Sequence, residues 1–280
     1  MLIFNKKADL IDHLQSLKSS SIGFVPTMGA LHQGHLTLMN KAMSENDITV
    51  VSIFVNPTQF NNAEDLAKYP RTLDRDVEKI EHLSSKIVIY APEVNDVYGD
   101  NTLSEHFDFD GIEDQMEGKF RKGHFDGVGT VLKRFFEIVK PTNAYFGEKD
   151  FQQLAIVKKL VSKYNIPVNI IGCPIHREHN GLAMSSRNER LTEENKEEAT
   201  LISRTLYKVR QDFGTKSLQE LVAEVSEVFA NNPHFTLEYF EIANAETLLT
   251  ATEIVEGEKY QAFIAVFINN VRLIDTISLN

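Results

Sequence analysis

Five short apolar runs punctuate the first 175 residues: Ile22–Val25, Ile48–Val55, Lys86–Tyr90, Asn143–Phe146 and Val168–Gly172. Between them, apolar residues recur at three- and four-residue intervals over Leu36–Met43, Leu73–Leu83, Val128–Val139 and Phe151–Tyr164. Strand-length runs separated by amphipathic helices predict an α/β fold, a Rossmann-like parallel sheet with helices on both faces. The opening residues MLIFNKKADLIDHLQSL add a short strand and a helix. Past Ile175 the pattern changes. Thr192 is placed to cap a charged helix, another helix covers Ser217–Ala230, and β-type runs follow at Thr236–Ala243, Gln261–Ile268 and Val271–Leu279, with Asn269-Asn270 as a hairpin turn. The expected division is a Rossmann-like ATP- and acid-binding domain over residues 1–175 and a smaller C-terminal α+β domain over residues 176–280, acting as a lid.

Composition narrows the partners. The 280 residues suffice for one large or two ordinary domains and bury a core without staples. A net charge of −11 disfavours nucleic acid, and the only dense basic run is Lys119, Arg121 and Lys122. The single cysteine, Cys173, excludes an internal disulfide. No apolar stretch approaches a membrane span, and the N-terminus lacks the apolar core of a signal peptide, so the chain reads as soluble, cytoplasmic and not membrane-bound.

Four strings carry chemistry. After the first long strand comes Pro26-Thr-Met-Gly-Ala-Leu-His-Gln-Gly-His35. Gly29 permits close backbone approach, and His32 and His35 share one face of a helix starting at Leu36, where its N-terminal amides favour anions. The alternatives are two histidines that only cap a helix, or a zinc site lacking a third ligand. Phe54-Val-Asn-Pro-Thr-Gln-Phe60 places the neutral amides Asn56 and Gln59 at a strand's carboxyl end, where open sheets bind ligands; taken alone it is an ordinary turn. Tyr145-Phe-Gly-Glu-Lys-Asp-Phe-Gln-Gln153 supplies the cation Lys149, with Asp150 as the expected helix cap sharing a face with Gln153. Gly181-Leu-Ala-Met-Ser-Ser-Arg-Asn188 offers hydroxyls and an arginine for phosphate oxygens, in a loop able to close.

In this order, together with Tyr-Pro-Arg-Thr and Gly-His-Phe-Asp-Gly-Val, these strings resemble the pantothenate synthetase (pantoate–β-alanine ligase) family, an adenylate-forming, nucleotidyltransferase-like group, from Gly23 to Arg190. The resemblance implies ATP-dependent condensation of (R)-pantoate with β-alanine through a pantoyl adenylate, with Mg2+ on the phosphates, in a homodimer. It implies catalytic roles for His35, the proton donor, His32 and Lys149. ATP would contact Met28, Gly29, Ala30, Leu31, His32, Gln33, Gly34, His35, Gly147, Glu148, Lys149, Asp150, His176, Met184, Ser185, Ser186 and Arg187. Pantoate would contact Gln59, Gln153 and Asn56, and β-alanine Gln59. Asp74 and Asp76 are weak metal candidates, because Arg75 interrupts their acidic run. His176 and Asn180 depart from the family's usual valine and aspartate.

Two other classes share these features. A nucleotidyltransferase of the same fold would want cations where this chain has Gln59 and Gln153. A non-catalytic nucleotide sensor would tolerate loss of His35 and Lys149, both of which are present.

Overall fold

The computed structural model describes residues 1–17 and 20–280. The first region runs β1 (Leu2–Phe4), α1 (Lys7–Ser16), β2 (Ile22–Thr27), α2 (Gln33–Glu45), β3 (Ile48–Ile53), α3 (Ala63–Lys68), α4 (Leu73–Leu83), β4 (Val88–Tyr90), α5 (Val94–Tyr98), α6 (Met116–Phe120), α7 (His124–Val139), β5 (Asn143–Gly147), α8 (Phe151–Lys163) and β6 (Asn169–Cys173). Its six strands form one parallel sheet ordered β1-β4-β3-β2-β5-β6. Successive strand residues point to opposite faces, and both faces are covered, which is why the strands read as continuous apolar runs. Phe24, Val50, Tyr90 and Phe146 pack with Phe135 and Leu160 on one side. Val25, Val51, Ile89 and Tyr145 pack with Met39 and Ile80 on the other.

From β2 the chain winds outward through β3 and β4, and it returns to β2's other edge with β5. The crevice between the carboxyl ends of β2 and β5 is therefore the topological switch point, the place where such a sheet receives ligands.

The second region holds α9 (Glu193–Asp212), α10 (Leu218–Ala230) and an antiparallel sheet of β7 (Phe235–Asn244), β8 (Tyr260–Ile268) and β9 (Val271–Ser278). Thr192 accepts a hydrogen bond from Asn195 N, the expected cap, and Asn269 takes the left-handed φ of 52° that the β8–β9 turn requires. One face of the sheet buries Ile264 and Val266 against Leu206, Leu221 and Phe229. The other face sends Tyr239, Phe263 and Ala265 into the core of the first region, where Phe263 meets Phe151 edge-on at 5.8 Å between ring centroids. β8 is thus covered on both sides, and only Phe267 along it escapes full burial.

Three local expectations change. α2 begins at Gln33, so His32 is its N-cap and His35 already lies in the first turn. Asp150 precedes α8 but makes no capping bond; its carboxylate lies 3.4 Å from Lys149 Nζ. Arg121 is not part of a surface basic patch, because it points inward toward Glu117 while Lys119 and Lys122 stay exposed.

Candidate active site

The loop after β2 is built on a buried carboxylate. Asp76 of α4 is fully buried and accepts hydrogen bonds from Ala30 N (2.9 Å), Leu31 N (2.7 Å) and Thr72 Oγ1 (3.1 Å). Lys79, one helical turn further on, donates to Leu31 O. Gly29 sits at φ +82°, and a Cβ there would press on Asp76 Oδ2 and Ile53, so only glycine lets the loop lie against its clamp. Asp76 is therefore a backbone anchor and not a metal ligand, since both carboxylate oxygens already face donors. Asp74 is exposed and stands away from the cleft. No three histidine, cysteine or acidic side chains cluster as a cation cage among the described residues. The side chains described do not fit a protein-held magnesium.

That anchored loop aims the two imidazoles. His35 Nδ1 accepts from His32 N at 3.2 Å, which places the proton of neutral His35 on Nε2. The rings lie 4.0 Å apart, and His32 Nδ1 is buried with no partner among the described residues. An orphaned ring nitrogen beside a helix N-terminus is costly unless a ligand answers it. Burial, with Lys149 and Lys79 nearby, pushes the His35 pKa down to about 4. Burial, the neighbouring His35 and Lys149 push His32 down to about 2. Without ligand both rings are neutral at pH 7 and act as hydrogen-bond donors and acceptors. A bound polyphosphate reverses part of that shift.

The turn after β3 presents Gln59. Asn56 is buried, with its amide nitrogen donating to Gln59 Oε1 and Gly127 O, each at 3.1 Å. Its carbonyl oxygen accepts from Thr58 Oγ1 and Tyr98 OH. Asn56 thus has its polar atoms committed and serves to position Gln59 rather than to grip a ligand itself. Gln59 Oε1 is held by Asn56 while Nε2 lies 3.2 Å from Met28 Sδ, which leaves one amide hydrogen for an acceptor in the cleft. The turn lies so close to α7 that a Cβ at Gly127 would collide with the main chain of Thr58 and Gln59.

The adjacent glutamines beyond β5 take different jobs. Gln152 is buried and structural, accepting from Glu117 N and donating to Ile112 O and Gln115 O. Gln153 faces the cleft and makes no side-chain hydrogen bond among the described residues. The loop after β6 is tied by Met184 N to His176 O (3.0 Å) and by Ser186 Oγ to Ala30 O (2.9 Å). Arg187 is paired to Asp65 of α3 at 3.0 Å, and Arg190 reaches the same carboxylate at 3.5 Å.

All of this surrounds one open cleft. Of the expected residues, Met28, His32, Gly34, His35, Asn56, Gln59, Gly147, Lys149, Asp150, Gln153, His176, Met184, Ser185, Ser186 and Arg187 line it. Gly29, Ala30, Leu31, Gln33 and Glu148 do not: Ala30 and Leu31 are buried beneath the loop, and Gln33 faces solvent. One wall, from Val128, Val131, Leu132 and Phe135 of α7 with Phe54, is apolar and suits a branched carbon skeleton. A second chamber adjoins the cleft and shares Met28, Gln59, Lys149, Asp150, Gln153 and Arg187 with it.

Sequence reasoning missed several groups. Asp76 was seen only as an acid, and Lys79 not at all, although their three-residue spacing on one helix puts both on the same face. Glu117, Arg121 and His124 of the second chamber carried no assignment, although His124 belongs to the Gly-His-Phe-Asp-Gly-Val string.

A family model described as pantoate-beta-alanine ligase matches residues 2–278. The chain belongs to the pantoate-beta-alanine ligase family. The match is full-length: it is 60% identical to a pantothenate synthetase of Flavobacterium psychrophilum over 281 residues, covering all of both chains. The solved structure of pantothenate synthetase from Thermus thermophilus superposes with a TM-score of 0.91 at 37% identity, covering 100% of this chain and 99% of that one. A pantoate-beta-alanine ligase from Francisella tularensis, complexed with beta-gamma ATP and beta-alanine, matches with a TM-score of 0.82 at 37% identity, covering 100% and 98%. In this ligase family member, the enzyme's cleft sits where an open parallel sheet takes its ligands.

Proposed function

We propose that the chain condenses (R)-pantoate with β-alanine at the expense of ATP, through a pantoyl adenylate, to give pantothenate, AMP and pyrophosphate. The observation that carries this reading is the composition of one cleft: two imidazoles, Lys149 and Arg187 for a triphosphate beside Gln59, Gln153 and an apolar wall for a small branched acid. In the first step a pantoate carboxylate oxygen bonds to the α-phosphorus, and the bond from that phosphorus to the pyrophosphate bridging oxygen breaks. In the second, the deprotonated amine of β-alanine forms the C–N bond as the C–O bond to AMP breaks, and the nitrogen gives up a proton.

The chain's part is positioning and charge stabilisation, which dominate phosphoryl-type chemistry. His35 Nε2–H and Lys149 are placed to meet charge developing on the phosphates, and removal of one such donor typically costs about 3–4 kcal/mol in the barrier. The Gln59 amide hydrogen suits a carboxylate or hydroxyl without burying a second full charge. The loop through Ser185–Arg187, with the C-terminal region as lid, would keep water from the adenylate. Magnesium would travel on the ATP phosphates. The setting proposed with this reaction is the cytoplasm and the assembly a homodimer; no helix among the described residues is long and apolar enough to cross a membrane.

The test is exchange of labelled pyrophosphate into ATP with pantoate present and β-alanine absent. Exchange is expected. Folded protein that forms pantothenate without it lacks the adenylate route.

A further inference from the structure

The chain makes a short hairpin between β6 and α9, and only its base borders the cleft. Arg177 and Ala183 bridge as antiparallel partners, Met184 N donates to His176 O at 3.0 Å, and Glu178 N donates to Leu182 O at 2.8 Å. His176 and Met184, at the base, line the cleft. His176 N and Met184 O make no hydrogen bond among the described residues. One free donor beside one free acceptor suits the polar edge of a flat heterocycle such as a nucleotide base.

The hairpin is braced chiefly from the C-terminal region. Arg177 donates to both carboxylate oxygens of Asp275 on β9, at 2.7 and 3.0 Å, and to Gly181 O at 3.1 Å across the hairpin itself. Its guanidinium also lies over the Tyr207 ring of α9, 5.6 Å from the centroid. Asp275 is buried, and its Oδ1 accepts a further bond from Thr276 N at 2.8 Å. At the tip, Gly181 runs so close to α9 that a Cβ would stand 3.3 Å from Ser203 Oγ. The parallel-sheet region adds one side-chain hydrogen bond to the hairpin among the described residues, between Thr37 Oγ1 and His176 Nδ1 at 3.4 Å. A buried ion pair adds little stability over an apolar pair of the same volume. A bidentate fork does fix direction as well as distance.

We infer that Arg177 and Asp275 are positioning residues for the nucleotide. Through this pair the C-terminal region sets the pitch of the hairpin, and the hairpin sets where the base lies. The inference rests on the reading of the cleft as an ATP site. It makes ATP affinity depend on β9, although no β9 residue lines the cleft. A misplacement of about 1 Å at a positioning element can cost about a hundredfold.

The experiment measures pyrophosphate exchange with pantoate and without β-alanine, and takes KM for ATP, KM for pantoate and kcat separately. It compares the wild type with Arg177→Lys, which keeps the charge but loses the fork, and with the double variant Arg177→Met/Asp275→Leu, which removes both charges and fills their space. KM for ATP is expected to rise about fivefold in the first and about tenfold or more in the second. KM for pantoate and kcat should stay within about threefold, the pattern of lost ground-state binding. A double variant that melts near the wild-type temperature and still binds ATP weakly shows that position, not stability, was lost. KM for ATP within about twofold of the wild type in that variant overturns the inference, as does a fall in kcat with KM for ATP unmoved. Should the double variant fail to fold, Arg177→Lys alone decides on the same readings. A wild type without exchange removes the adenylate reading itself, whereas exchange with unshifted variants removes only the role of this pair.

Discussion

Two segments border the cleft, and they are held by opposite means. The loop from Met28 to His35 hangs on Asp76, a fully buried carboxylate with three donors, and on Lys79. The segment around Ser185–Arg190 is tied to the first by Ser186 Oγ on Ala30 O, but its two arginines are held on α3 only by Asp65, and those pairs leave each side chain about a quarter exposed. Breaking a buried, fully bonded charge costs several kcal/mol, whereas a solvent-screened pair contributes about 0–1 kcal/mol. The first segment is a fixed jaw. On the proposed function, Arg187 would exchange Asp65 for a phosphate at little loss, and a binding step would draw its part of the loop toward the ligand.

The comparison breaks or sharpens at four points. On the fixed jaw and the facing loop, His35→Ala and Lys149→Ala are each expected to lower kcat by about a hundredfold or more while melting near the wild-type temperature; near-normal turnover in either would remove its assigned role. Asp76→Asn should destabilise the fold by about 3 kcal/mol in urea titration, because an amide nitrogen then faces one of the two backbone N–H groups, of Ala30 or of Leu31, that the carboxylate oxygens accept. A loss below about 1 kcal/mol would mean the jaw is not fixed by this group.

Acid provides the third point. His124, with its pKa pushed down to about 3, binds no proton in the native state between there and about 6.5, while the unfolded chain does. Stability should be complete above about pH 6.5 and fall by about 1.4 kcal/mol per pH unit below it from this residue alone. His35 and His32 add in the same direction. His124→Asn, which keeps a donor for Gln59 O and removes the titration, should flatten part of that slope. The smallest effect is on the movable jaw: Asp65→Asn should change stability by less than about 1 kcal/mol and lower the KM for ATP a few-fold. A raised KM would show that Asp65 helps the closed form instead of competing with it.

The parallel sheet and its helices were legible because periodicity reports burial, and burial here is two-sided. The bounds of α4 match the apolar spacing at Leu73–Leu83. α3, α5 and α6 were not legible, since helices of five or six residues carry too few turns for a periodic signal. Most of the cleft was legible for a related reason: strand ends, glycines and clustered polar residues mark a crevice. What stayed hidden was the division of labour. Nothing local says that Gln152 is structural while Gln153 faces the cleft, or that Asn56 spends its amide on Gln59. The role of Gln152 comes from partners more than thirty residues away, and Asn56 can aim Gln59, three residues on, because Gly127 and Tyr98 hold it from afar. Asp76 shows the same limit: an acid near a nucleotide site suggests a metal until its amide partners are visible.

β9 supplies Arg272 to Glu117 and Asp275 to Arg177, and it is translated after every segment it grips. A nascent chain therefore carries both imidazoles and Lys149 long before the wall of the second chamber exists. Unfinished copies lack Arg272 and Tyr239, which leaves the Glu117 carboxylate with only the 3.4 Å contact to Arg121. Such intermediates are natural clients for chaperones and proteases, so quality control and chemistry share one late strand.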